Sequence, residues 1–110
     1  MKFFIVLLFS INLLFSQEIK IAVAANVSYA MDELIVAFNK KYPTIDVKVI
    51  LGSSGKLTAQ IKHGAPYGLF LAANMRYPES LYHEKIATTK PIVYAKGALA
   101  LFSSKKREFT

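Results

Sequence analysis

A mostly parallel α/β sheet flanked by helices is the fold class that this 110-residue sequence predicts. Three observations lead there. Short apolar runs alternate with helix-periodic segments in the order βαβαβαββ, the pattern of strands joined by helical crossovers. The first two runs each end in a turn of Asn, Ser or Gly that opens a helix. The sequence has no cysteine, so the fold rests on its apolar core without disulfides.

The first sixteen residues, "MKFFIVLLFSINLLFS", stand apart from this pattern. A lysine at position 2 precedes an almost unbroken apolar run that closes on the small residue Ser16. This is the layout of a secretory signal peptide, 1–16, cleaved before Gln17. The run is short for a membrane span, which takes about 20 apolar residues. The mature chain is then 17–110, and loss of Lys2 lowers the formal charge from +7 to +6. Without cysteine there is no thiol catalysis and no lipid-modified N-terminal cysteine.

"IKIAVA", 19–24, reads as a buried strand. "ANVS" is the following turn, with Asn26 and Ser28 as good capping residues. A helix is expected over 29–41, with Met31, Leu34, Ile35 and Phe38 on one face. Asp32 and Glu33 fall in its first turn and Lys40 and Lys41 in its last, complementing the helix dipole. Pro43 ends it. "DVKVIL", 46–51, is a second strand. After "GSSG" comes a short helix over 56–62, closed near Gly64. "GLFLA", 68–72, is a third strand, and Pro78 opens a helix to about residue 84. Two further strands are expected at 92–95 and 98–103.

Ligands of open parallel sheets bind beyond the carboxyl ends of the strands. Two loops there share a chemistry. "AANVS" and "GSSGK" each follow a strand and open a helix, so each offers free backbone N–H groups and neutral side chains. Gly52 and Gly55 would let backbone approach a bound atom. If the first two strands are neighbours, both loops aim at one point suited to an anion. Two helix caps with no ligand would explain the same residues. A nucleotide phosphate loop would not. G-x-x-x-x-G-K-[ST] needs glycine at position 50 and Ser or Thr at 57, where this sequence has Ile50 and Leu57.

The remaining constellations are weak. His63 and His83 lack partners at metal-ligand spacing and read as surface residues. Asp32 and Glu33 are adjacent and so point to different sides of a helix. No nucleophile–His–acid order appears, which argues against an enzyme. Tyr67, Tyr77, Tyr82 and Tyr94 read as packing or rim residues. Apart from Lys105, Lys106 and Arg107 the basic residues are scattered, so no nucleic-acid face is expected.

Taken together, "AVAANVSYAMDEL", "GSSGKLTAQIKHGAPYGLFLAANMRYPESL" and "YAKGALALFS" resemble the periplasmic molybdate-binding proteins of molybdate ABC transporters. The resemblance implies a two-lobed type II periplasmic binding fold. It also implies an extracytoplasmic, monomeric carrier that hands molybdate or tungstate to a membrane permease. No cofactor and no metal beyond the oxyanion are implied. The family's ligand positions in the first lobe match Asn26, in the turn after the first strand, and Ser54, the second serine of the pair. Lys56 is not a ligand by this analogy. The family carries an acidic residue where Gly68 stands. Its members are about twice as long, so residues 17–97 correspond to the first segment of lobe one and 98–110 to the start of the inter-lobe crossover. On this basis the chain is expected to be an incomplete N-terminal fragment that binds weakly or not at all. Another oxyanion, such as sulfate or phosphate, or a non-functional remnant, is the alternative.

Export through a Gram-negative inner membrane is expected to yield a mature protein whose first residue is Gln17. N-terminal sequencing checks this, and an intact Met1 on the exported protein would contradict it.

Overall fold

The structure is a computed structural model that describes residues 17–106 and 108. Residues 1–16, read above as a signal peptide, lie outside the described residues. Strand β1, Gln17–Ala24, lies at the centre of a three-stranded sheet. β2, Ile45–Gly52, flanks it on one side and β3, Leu69–Leu71, on the other, both parallel to it. Parallel neighbours require crossovers, and helices supply them. α1 is Ser28–Lys41, α2 is Ser54–Lys62 and α3 is Arg76–His83. The expected α/β class and the adjacency of the first two strands are what the structure shows.

The core sits on the carboxyl half of β1. Ala22, Val23 and Ala24 are buried there, joined by Met31 of α1, Leu57 of α2, Ala72 after β3 and Leu81 of α3. β1 is apolar without alternation in this half because it has a strand on either side and helices packed over it. Small residues at 22 and 24 leave room for the helices. Val23 and Leu57 are the largest fully buried side chains.

The helix boundaries follow from local chemistry. A short 3-10 turn, Ala25–Val27, links β1 to α1. Neither Asn26 nor Ser28 caps α1 through its side chain, contrary to the sequence expectation. Ser28 instead starts the helix, and its hydroxyl donates back to the Ala25 carbonyl at 2.7 Å. This earlier start moves Asp32 and Glu33 out of the first turn, which holds no acid, while Lys40 and Lys41 occupy the last. Of the expected apolar face, Met31 is buried and Ile35 and Phe38 are half-buried, but Leu34 is exposed. The stripe facing the sheet therefore follows i, i+4, i+7 and leaves Leu34 beyond its edge. Phe38 and Tyr42 close the helix end, with ring centroids 4.9 Å apart.

α2 has a side-chain cap. Ser53 accepts the Lys56 N–H at 3.2 Å. At the other end Gly64 adopts φ +90, a left-handed conformation glycine takes without a Cβ clash. Its N–H donates to the Ile61 carbonyl and the Ala65 N–H to that of Gln60, each at 3.0 Å. Pro78 falls inside the first turn of α3, where its missing N–H leaves no gap. The carboxyl ends of α2 and α3 are tied by the Lys62 ammonium, 2.8 Å from Glu84 Oε1. That bond, with a second from the Ser80 hydroxyl, holds the exposed Glu84 carboxyl below the usual carboxylate range.

The strands expected at 92–95 and 98–103 do not form. Among the described residues the chain after α3 has no regular structure, and Ile92, Val93, Leu99, Leu101 and Phe102 are exposed. A strand needs the backbone of a neighbour for its N–H and C=O groups. β-type composition alone cannot supply one.

Two outcomes follow. Leu57→Ala is expected to lose about 2–5 kcal/mol in urea denaturation, because a fully buried side chain leaves a cavity. Glu84, whose folded value is depressed, adds stability above its unfolded pKa, and that stability is lost as pH falls through the folded one. Glu84→Gln is expected to flatten that acid limb, which denaturation across pH reads directly.

Candidate functional site

The parallel register sets the geometry of the candidate site. Ala24, the last residue of β1, stands opposite Gly52, the last of β2. The two strands stop level, and their outgoing corners lie side by side at one end of the sheet. Asn26 is in one corner, two residues past β1, and Ser54 is in the other, two residues past β2. β3 ends at the same edge, with Leu71 opposite Val23. The two residues singled out from the sequence thus share an edge on adjacent strands.

Their environments differ. Asn26 is exposed within the 3-10 turn, and its side-chain amide makes no hydrogen bond to the described residues. Ser54 is buried, with 8% of its surface exposed. Its Oγ accepts the Ala73 N–H at 3.0 Å. A serine hydroxyl has one hydrogen to donate and two lone pairs to accept with. Here one lone pair is taken and the hydrogen has no acceptor among the described residues, so Ser54 is set up as a donor. The N–H groups of Ser54 and Gly55, in the first turn of α2, likewise have no partner among the described residues. Ser53, by contrast, is occupied as the cap. The "SS" pair therefore divides its work: the first serine satisfies the helix, and the second, buried beside Ala73, keeps a hydroxyl hydrogen with no acceptor among the described residues.

This collection is donor-rich and carries no formal charge. Asp32 and Glu33 are exposed on α1, lining a shallow depression with Val36, Ala37 and Lys40. Lys56 is exposed on α2, and both histidines are exposed. His63 is engaged locally, its Nδ1 2.7 Å from the Ala59 carbonyl. Among the described residues no cluster of His, Cys, Asp or Glu could hold a metal ion. What the corners can do chemically is donate hydrogen bonds from rigid dipoles at a helix N-terminus, an arrangement suited to an anion.

The glycines of "GSSG" also lie close to protein side chains. A Cβ on Gly52 would lie 3.2 Å from Cγ of the buried Leu57. A Cβ on Gly55 would lie 3.2 Å from the Tyr77 hydroxyl of α3. At both glycines a side chain would sit tightly against a protein neighbour, which would have to shift by a few tenths of an ångström. Gly68 donates its N–H to the Lys20 carbonyl at 2.8 Å and extends the β1–β3 ladder without a side chain. Sequence reasoning missed the third corner altogether. Ala73 acts through its backbone, which leaves no mark on residue type.

Gly52→Ala is expected to cost about 1–3 kcal/mol, since the buried Leu57 would have to shift. Gly55→Ala is expected to cost less, and Tyr77→Phe to relieve part of that cost. Urea denaturation of the single and double variants checks the ordering; a Gly55→Ala cost unaffected by Tyr77→Phe would contradict the contact.

Comparisons with known proteins add the family. A family model described as bacterial extracellular solute-binding protein matches residues 19–108. The chain is 38% identical over 94 residues to the molybdate-binding protein ModA of Azotobacter vinelandii, covering 82% of this chain and 36% of that protein. To the ModA protein of Rhodobacter capsulatus it is 34% identical over 88 residues, 79% of this chain and 34% of that one. Among solved structures, the Azotobacter vinelandii periplasmic molybdate-binding protein superposes with a TM-score of 0.58 at 34% identity. That match covers 61% of this chain and 29% of the other. The chain spans about a third of the length of the relatives it matches. With its parallel sheet, its level strand ends and a family match over most of its length, the chain belongs to the bacterial extracellular solute-binding proteins.

Proposed function

We propose that this chain supplies one wall of the ligand site of an extracytoplasmic solute-binding protein that captures molybdate or tungstate for an ABC permease. Asn26 and Ser54 are its side-chain ligands. The observation that carries the reading is the buried Ser54 hydroxyl, with its hydrogen free beside the free amides of the α2 first turn. The relatives named for molybdate binding support the choice of anion.

The chemistry agrees. Molybdate at neutral pH carries no proton, so its site calls for donors without acceptors. A carboxylate would repel it, whereas the Ser54 hydroxyl has a hydrogen to donate. A rigid ring of neutral donors discriminates by size, since a smaller tetrahedral anion would leave donors unreached. Export to the periplasm fits a carrier that meets its solute outside the inner membrane.

Two corners reach only one side of a tetrahedral dianion. Each hydrogen bond to a charged group contributes about 1.5–3 kcal/mol, and a site lacking about three of them loses roughly three to six decades of affinity. Calorimetry on the 110-residue chain is therefore expected to show millimolar molybdate binding at best, and micromolar binding would overturn this one-walled description. Within that weak binding, Ser54→Ala is expected to reduce affinity about tenfold or more, read from amide shifts on titration with sodium molybdate. Sodium sulfate is expected to compete poorly. Equal shifts with sulfate would replace molybdate by a general oxyanion ligand, and shifts unaffected by Ser54→Ala would remove Ser54 from the site.

A further inference from the structure

The peptide unit between Ala72 and Ala73 is held from both sides. Its N–H, on Ala73, donates to Ser54 Oγ at 3.0 Å. Its carbonyl, on Ala72, accepts from the Tyr94 hydroxyl at 3.0 Å. A trans peptide is planar and sends its N–H and C=O in opposite directions, and the structure has no cis peptide bond among the described residues. Rotation of this plane moves both bonds at once. Ala72 itself is buried, 7% exposed, while the Tyr94 side that reaches it stays half open to solvent, 52% exposed.

We propose that Tyr94 is a positioning residue for the oxyanion site, acting through the Ala72–Ala73 peptide to hold the Ser54 hydroxyl with its hydrogen outward. The proposal rests on the reading of Ser54 as a ligand. The Tyr94 hydroxyl fixes the peptide plane, and the plane aims the Ala73 N–H at one lone pair of Ser54. With that lone pair occupied, the hydroxyl hydrogen turns away from Ala73. When an anion accepts that hydrogen, Ser54 Oγ becomes a better acceptor for Ala73, so the bonds reinforce one another. Forty residues separate Ser54 from Tyr94 in sequence. The otherwise irregular segment after α3 is thereby tied to the ligand corner by one phenol. Tyr94 touches no ligand in this arrangement.

The test is Tyr94→Phe in the 110-residue chain, which removes the hydroxyl and keeps the ring. Amide hydrogen exchange at Ala73 is expected to rise about threefold to tenfold, the loss of one hydrogen bond, and to rise also in Ser54→Ala. Exchange at Val23 in β1 is expected to stay unchanged in both, which a general loosening of the fold would not allow. Titration with sodium molybdate, followed at the Ser54 and Gly55 amides, is expected to weaken about threefold to tenfold in Tyr94→Phe. Ala73 exchange unaltered by Tyr94→Phe overturns the proposal, as does a parallel rise at Val23. If the unaltered chain shows no molybdate shift at Ser54 and Gly55, the ligand reading fails. The exchange measurement then still decides whether Tyr94 holds the peptide that holds Ser54.

Discussion

Parallel pairing of β1 with a strand on each side is the constraint from which everything else descends. Parallel strands enter from the same end and leave from the same end, so their outgoing corners must gather along one edge. Level pairing of Ala24 with Gly52 and of Val23 with Leu71 sharpens this into a small area. Each crossover then has to begin there, and two of them begin directly with helical turns that leave N–H groups open. The donor-rich edge is a consequence of topology before it is a matter of side chains.

Packing refines that edge. α2 lies on β1 and against α3, and on both sides of the serine pair a Cβ on the glycine would sit tightly against a neighbouring side chain. That tight seat settles which serine does what. Ser53, still extended, turns its oxygen back to cap the helix. Ser54, one residue on, is carried into the interior, where the Ala73 amide meets it. Consecutive serines in this loop thus do different things: one caps the helix and the other accepts the Ala73 N–H.

The relation to the solute-binding relatives follows from the same arrangement. About three-fifths of this chain, 61%, superposes on under a third of the Azotobacter vinelandii protein. An anion resting on that edge meets dipoles and hydroxyls and no fixed charge. Neutral donors suit a ligand that must also be released, because a lysine or arginine partner would have to be resolvated at each cycle.

Much of the fold was legible in the sequence. Apolar runs, helical periodicity and the absence of cysteine gave the class, the strand order along the chain and the positions of both corners, because those features report local burial. The two corner loops were legible as donor-rich turns, but Asn26 and Ser54 were singled out within them by the family resemblance, because helix capping calls for the same residue types. Four things waited for the tertiary structure. Leu34 fell outside the buried face because the sheet covers only part of α1. The glycines belonged to Leu57 and Tyr77, contacts that no spacing reveals. Residues 92–103 had the composition of strands yet formed none, since strand formation depends on a neighbour and not on the residues themselves. The bonds from Ala73 to Ser54 and from Tyr94 to Ala72 run between distant segments through backbone atoms. Backbone groups are the same at every position, so only their placement in space could single these out.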